Sequence, residues 1–96
     1  MSEIKVNSYF ENNVKSMALE NNEGVLTIGV MAIGQYVFGT SQREYMTVVS
    51  GALKIKLPNV SDWQWFQKGE TFVIEANEKF EVVVEETTAY LCRYES

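Results

Sequence analysis

Hydrophobic residues recur with a period of two through almost the whole chain, and that rhythm admits strands and little else. Leu26, Ile28 and Val30 alternate against Val25, Thr27 and Met31, and Tyr36 and Phe38 flank Val37. Leu53, Ile55 and Leu57 oppose Lys54 and Lys56; Phe80, Val82 and Val84 oppose Glu81, Val83 and Glu85. Tyr90, Cys92 and Tyr94 oppose Ala89, Leu91 and Arg93. Side chains of an extended chain point to alternate faces, so each run predicts a strand with one face for a core. Turn residues divide the runs: Asn21-Asn22-Glu23-Gly24, Gly34, Gly39-Thr40-Ser41, Ser50-Gly51, Pro58-Asn59, Lys68-Gly69 and Ala76-Asn77-Glu78. Short strands so punctuated predict an all-β barrel or sandwich of antiparallel strands. Residues 1–13 resist assignment, with Ser8 to Asn12 reading as a helical turn or an irregular arm.

A chain of 96 residues holds one core, so a single domain over residues 1–96 is expected. Thirteen acids against eight bases leave a formal charge of −5, and the bases are dispersed. That balance argues against a nucleic-acid or anionic-membrane partner, both of which require a basic patch. A single cysteine, Cys92, precludes an intramolecular disulfide and suits a reducing compartment. No apolar run approaches the roughly 20 residues a membrane helix needs, and no secretory leader is evident. A cytoplasmic location is expected. Several strands are apolar on both faces, as at Val48-Val49 and Val82-Val83-Val84. One small barrel has one interior, so the second apolar face predicts a homodimer.

The chain contains no histidine. Ser–His and Cys–His nucleophiles are thereby excluded, as is a histidine general acid. Zinc, iron, copper and nickel sites rely on imidazole or thiolate, so one cysteine argues against them. The glycines are spaced as turn residues, with no phosphate-cradling loop among them. Glu44 stands out because it opens an apolar strand whose alternation with Met46 and Val48 aims it inward. An inward carboxylate is either a paired structural residue or a ligand-binding one. Tyr36, Phe38 and Phe80 are predicted to share the same interior, as core or as pocket. Trp63 and Trp65, two apart, should share one strand face, and Arg93 is expected to pair with a neighbouring acid.

The stretch from Gly34 to Leu53 resembles the first core motif of the cupins, with the acid Glu44 seven residues before the turn glycine Gly51. Metal-binding cupins carry two histidines just upstream of that acid, and a second motif whose proline, glycine and histidine are here Glu75, Asn77 and Phe80. Over nearly the whole chain the resemblance is to the pyrimidine/purine nucleoside phosphorylases. It is carried by Asn7-Ser-Tyr-Phe10, Val14-Lys-Ser16, Gly29-Val-Met31, Gly34-Gln-Tyr36 with Phe38, Glu44-Tyr-Met-Thr-Val48, Ser50-Gly-Ala-Leu53, Asp62-Trp-Gln64, Gly69 and Tyr90-Leu-Cys-Arg-Tyr94.

That resemblance implies a cupin-like (RmlC-like) β-barrel or jelly roll and phosphorolysis of purine and pyrimidine nucleosides, giving free base and ribose 1-phosphate. It implies no resident metal or cofactor, with inorganic phosphate as co-substrate. On this reading Glu44 is the catalytic acceptor for the ribose hydroxyls. Thr40 and Ser41, with Lys15 or Arg43, are expected to bind phosphate, and Tyr36, Phe38 and Phe80 to line the base pocket. The alternatives are a non-catalytic small-molecule-binding cupin module and a sugar-nucleotide isomerase or epimerase. The last ordinarily wants a histidine base, which this chain lacks.

Overall fold

The computed structural model describes residues 4–95, and the fold is all-β over that range. Ten strands follow in order: β1 (Val6–Tyr9), β2 (Val14–Asn21), β3 (Gly24–Met31), β4 (Gly34–Gly39), β5 (Glu44–Ser50), β6 (Ala52–Lys56), β7 (Gln64–Gln67), β8 (Thr71–Ile74), β9 (Lys79–Val84) and β10 (Thr88–Tyr94). Hydrogen bonding sorts them into a six-stranded sheet, β1-β2-β3-β10-β5-β8, and a four-stranded sheet, β4-β9-β6-β7. Every pairing is antiparallel. The sheets face one another as the two walls of a cupin-like barrel. No helix among the described residues is long and apolar enough to cross a membrane.

The period-two pattern becomes the packing. Inward residues of the larger sheet, among them Val14, Met31, Met46, Val48 and Tyr90, meet Leu53, Ile55, Phe80, Val82 and Val84 of the smaller one. Leu53 and Ile55 are fully buried while the alternating Lys54 and Lys56 are not, as the period of two requires. Burying one such side chain contributes roughly 1.5–3 kcal/mol, so the facing rows dominate the driving force. The outer face of the larger sheet is also apolar: Val6, Met17, Ile28 and Val30 stand exposed there. Leu26 lies on that same outer face, opposite Leu19 and Arg93, yet is buried by its neighbours.

The N-terminal segment departs from expectation. Val6–Tyr9 is a strand paired with β2, and Phe10 to Asn13 form the turn between them, in place of a helical turn or an irregular arm. Residues 1–3 of that expectation lie outside the described residues. The pattern was unreadable because the strand turns Asn7 and Tyr9 inward and Val6 and Ser8 outward, so neither face is purely apolar. Pairing with β2 overrode weak local preference.

Arg93 also departs from expectation. Its guanidinium lies 4.1 Å from the Tyr45 ring centroid, stacked on its direct cross-strand partner. Glu95, the nearest acid in sequence, is taken by Arg43 at 3.0 Å and by the Tyr45 hydroxyl at 2.8 Å. Trp63 and Trp65 flank Lys54, whose Nζ lies 5.8 and 6.0 Å from the two rings.

The tight connection between β5 and β6 turns on Gly51, whose φ of +96° is a region that favours glycine. A methyl group there would collide with Thr88 Oγ1 and come within 3.1 Å of the Thr87 carbonyl oxygen. Thr88 has no room to yield: it is fully buried, and its hydroxyl accepts from the Ala52 amide at 3.1 Å and donates to the Glu86 or Ala52 carbonyl. Gly51→Ala is therefore expected to cost at least ~2 kcal/mol. That corresponds to a Tm lowered by about 10 °C in a domain of this size. An unchanged melting curve would show that this contact does not constrain the fold.

Candidate active site

Near one end of the barrel the apolar filling gives way to a cavity of about 150 Å³. One wall is the inward row of β5 and β10, where Glu44 and Met46 adjoin Tyr90, Cys92 and Tyr94. The wall opposite is Phe38 and Gly39 of β4 with Phe80 of β9, and Tyr9, Ser16 and Met31 close the third side. Register builds the first wall directly. Tyr94 pairs with Glu44 and Cys92 with Met46, so alternate residues of two adjacent strands face the same space.

Glu44 is half-buried, and the Cys92 thiol donates a hydrogen bond to its Oε1 at 3.5 Å. Burial pushes its pKa above the ordinary carboxylate value, with the thiol hydrogen bond opposing the shift. The surrounding acids respond to the same environment. Burial, then the neighbouring Cys92, raises Tyr90 to about 12. Burial and then the Glu44 charge push the Cys92 thiol upward. Burial likewise raises Tyr94, whose hydroxyl lies 3.2 Å from Thr27 Oγ1. At neutral pH the wall is thus one carboxyl group set among hydroxyl and thiol groups that keep their protons. Such a site suits a ligand rich in hydroxyl groups, or one that develops positive charge.

The aromatic wall is continuous. Phe38 and Phe80 stack with centroids 5.6 Å apart and an interplanar angle of 24°, and Phe10 meets Phe38 edge-on at 5.4 Å. Tyr36 is placed one layer out. Its ring contacts Phe10 at 4.9 Å, and its hydroxyl donates to the Ala32 carbonyl at 2.7 Å. Of the site residues expected from the sequence, Glu44, Phe38 and Phe80 line the cavity together, with Tyr36 supporting them.

The residues expected to bind phosphate are not gathered at one point. Lys15 lies on the outer face of β2, the side of the sheet away from Glu44. Arg43 sits at the rim beside Glu44, held by Glu75 at 2.9 Å and Glu95 at 3.0 Å. Thr40 clamps the β4–β5 loop to the β8–β9 turn: its hydroxyl donates to the Glu75 carbonyl at 2.7 Å and accepts from the Glu78 amide at 3.0 Å. Ser41, next to it, is exposed. Among the described residues no cluster of three or more histidine, cysteine or acidic side chains is arranged to hold a metal ion.

The polar and aromatic cavity residues that sequence reasoning passed over are Tyr9, Ser16, Tyr90, Cys92 and Tyr94. The alternation of Tyr90, Cys92 and Tyr94 was visible, but only the pairing of β10 with β5 brings that row beside Glu44. Tyr9 gave no signal, since its strand did not read as one.

Fold and site together define a cupin-like barrel whose pocket is built on a carboxylate and aromatic rings. An RmlC-like cupin from Shewanella frigidimarina shares the fold at a TM-score of 0.73 and 13% identity, over 94% of this chain and 81% of that one. A Vibrio parahaemolyticus protein of unknown function superimposes with a TM-score of 0.94 at 45% identity, covering 98% of this chain and all of that one. The family model for pyrimidine/purine nucleoside phosphorylase matches residues 4–94. A Pseudomonas fluorescens protein named pyrimidine/purine nucleoside phosphorylase is 59% identical over 91 residues, 95% of this chain and 97% of its own. One from Psychrobacter cryohalolentis, named pyrimidine/purine nucleoside phosphorylase 2, is 57% identical over 93% of this chain and 95% of its own. The chain belongs to the pyrimidine/purine nucleoside phosphorylase family.

The raised pKa of Glu44 has a thermodynamic consequence. Between the ordinary value of 4.5 and the raised one, the folded protein binds more protons than the unfolded chain. Stability from this group is therefore lost as pH rises through that window. Glu44→Gln removes the titration while keeping the shape. Its stability relative to the parent protein is expected to improve on going from pH 4 to pH 8, as read by urea unfolding at both values. A stability difference that stays constant with pH would show that Glu44 is not desolvated.

Proposed function

We propose that the protein catalyses phosphorolysis of purine and pyrimidine nucleosides, yielding free base and ribose 1-phosphate with broad tolerance for the base. Membership of the family supports the reaction class. The observation that carries the mechanism is the half-buried carboxyl group of Glu44 in a cavity walled by aromatic rings, hydroxyls and a thiol.

A phosphate oxygen forms a bond to C1′ as the C1′–N glycosidic bond breaks, and the bonding electron pair leaves with the base. Positive charge builds on the ribose ring meanwhile, as in other glycosyl transfers. In its ionised form Glu44 accepts hydrogen bonds from the 2′- and 3′-hydroxyls and stabilises that charge, at a site where water screens little. Phe38 and Phe80, backed by Tyr36, offer ring faces to the base. Stacking accepts every base, whereas hydrogen bonds to base edges would discriminate strongly. The departing base takes its proton from solvent or from one of the protonated tyrosines.

Phosphate, a dianion, is repelled by the Glu44 charge and binds at the rim instead. Arg43 and the Thr40-Ser41 loop are the groups assigned to it. Arg43 then exchanges part of its pairing with Glu75 and Glu95 for phosphate. Lys15, on the far face of β2, is the less suitable cation of the two expected from the sequence. No resident metal or cofactor enters this scheme. The enzyme works as a homodimer in the cytoplasm, a second copy covering the apolar outer face that carries Val6, Met17, Ile28 and Val30. The lone Cys92 suits a reducing compartment.

Incubation with uridine or inosine, with and without phosphate, tests the reaction by release of free base and ribose 1-phosphate. Phosphate-dependent product is expected, and its absence would favour a binding module. Glu44→Gln is expected to lower kcat/KM by about 30-fold or more, equivalent to ~2 kcal/mol of transition-state stabilisation. Unchanged kcat/KM would remove Glu44 from the mechanism. Arg43→Ala should raise the KM for phosphate several-fold more than that for nucleoside, while Lys15→Ala should leave both near the parent values. The reverse ranking would move the anion site to the other face of the sheet.

A further inference from the structure

The cavity is too small for the substrate just proposed. Pockets that enclose drug-sized ligands run to roughly 300–1,000 Å³, against about 150 Å³ here. Something in its wall must move aside for a nucleoside to enter. The walls supplied by β5, β9 and β10 belong to central strands, paired on both edges and continuous with the core. The edge strand β4 is tied to β9 along its length, with Phe38 stacked on Phe80. The side where Tyr9 ends β1, just before the β1–β2 turn, is built differently.

β1 is an edge strand with β2 as its sole neighbour. Three successive non-glycine residues in the turn, Phe10, Glu11 and Asn12, hold φ values of +52°, +55° and +72°. Left-handed conformations of this kind cost energy at each residue and persist where surrounding contacts impose them, commonly at ligand clamps and switch segments. The turn's own hydrogen bonds are internal: the Asn13 amide and side chain both donate to the Phe10 carbonyl, at 3.1 and 3.0 Å, and Ser8 Oγ bonds Asn12 Oδ1. Its base is pinned where the Ala32 amide donates to the Asn13 carbonyl at 2.8 Å. Beyond that pin, the turn's aromatic contact with the small sheet is the Phe10 ring, resting on Tyr36 at 4.9 Å and on Phe38 at 5.4 Å. Both aromatic residues of the segment remain wet: Tyr9 lines the cavity and is 47% exposed, and Phe10, packed on the cavity-lining Phe38, is 42% exposed. A large apolar ring that packs on a cavity-lining ring while half in water has the placement of a removable cover.

We propose that the Tyr9–Phe10 segment of the β1–β2 turn is a lid that swings about Asn13 to admit the nucleoside, then closes with Phe10 against the bound substrate to exclude water. The proposal rests on the phosphorolysis reading and supplies what that reaction needs most. A ribose ring carrying positive charge at C1′ reacts with any oxygen nucleophile in reach. If phosphate attacks, the product is ribose 1-phosphate. If water attacks, its oxygen bonds to C1′ and keeps one proton, the other proton ends on the departing base, and free ribose results. A phosphorylase must therefore keep the reacting centre dry, and lid closure is the usual means. Phe10 thereby decides which nucleophile is used as well as helping to bind the base.

The test is the ratio of ribose to ribose 1-phosphate formed from uridine at saturating phosphate. In the parent protein ribose 1-phosphate should dominate. Phe10→Ala should raise the ribose share at least ten-fold and raise the nucleoside KM, whereas Phe10→Tyr should restore both. Removing an aromatic ring that serves only to pack would lower the Tm and leave the partition untouched, so an unchanged ratio in Phe10→Ala overturns the lid. A second measurement covers failure of that variant to fold. In the intact parent protein, amides of residues 6–13 should exchange hydrogen faster than those of β3 and β10, and slow at least five-fold when ribose 1-phosphate and base are bound. Exchange in that segment indifferent to ligand overturns the lid equally. Turnover by the parent protein is read first: without phosphate-dependent product the reaction falls, and the lid with it. Phosphate-dependent product with unchanged partition and exchange defeats the lid alone.

Discussion

The position of β10 between β3 and β5 is the constraint on which the site depends. Its register sets Tyr90, Cys92 and Tyr94 inward, against Gly29 and Thr27 on one side and Val48, Met46 and Glu44 on the other. A slip of one residue would turn Ala89, Leu91 and Arg93 into the barrel and expose the tyrosines, because strand side chains alternate strictly. Gly29 shows how closely the row is fitted. A methyl group at that position would fall 2.7 Å from the Tyr90 hydroxyl and from the Lys15 carbonyl oxygen, so the phenol lies across a position that must have no side chain. The fully buried rows of hydrophobic residues in the facing sheet hold this register in place, so core and site share one set of pairings.

That arrangement sets the electrostatics. Glu44 sits where the core meets the cavity, so its charge is partly stripped of water and loses hydration that the Cys92 thiol alone returns. A carboxylate held this way costs stability at neutral pH, and active sites commonly carry such a cost. It also makes the interior selective by charge. A ring gaining positive charge is attracted inward, while an anion is kept at the rim where Arg43 lies. Arg43 is itself a bridge, tying the start of β5 to the β8–β9 turn through Glu75 and to the chain end through Glu95. In the proposed mechanism, a phosphate at Arg43 competes with the contacts that hold the rim together.

The second motif of the barrel shows how a fold tolerates altered chemistry. Where metal-binding cupins place a glycine, this chain has Asn77 with φ of +61°, a left-handed position that asparagine accepts more readily than most residues. The turn is kept, and Thr40 fastens it through the Glu75 carbonyl and the Glu78 amide. Where those cupins place a histidine, Phe80 stacks on Phe38 and joins the core. The cupin-like fold is thus kept, with an aromatic wall where the motif's histidine would stand.

Alternation by itself determined β3 to β6, β9 and β10, the inward aim of Glu44 and the shared interior of Phe38 and Phe80, because the pleat converts sequence parity directly into facing. The missing histidine excluded whole classes of chemistry before any fold was considered. The N-terminal strand escaped notice because β1 mixes polar and apolar residues on both faces, so its pairing with β2 is a tertiary fact. Arg93 was assigned an acid and took a tyrosine ring, because cross-strand neighbours are set by register. Lys15 and Arg43 read alike as cations, yet β2 turns one to the outer face and β5 begins just after the other at the cavity rim. Parity is local and survives in the sequence. Which strands lie side by side, and hence which residues meet across the cavity, is decided only when the two sheets close on each other.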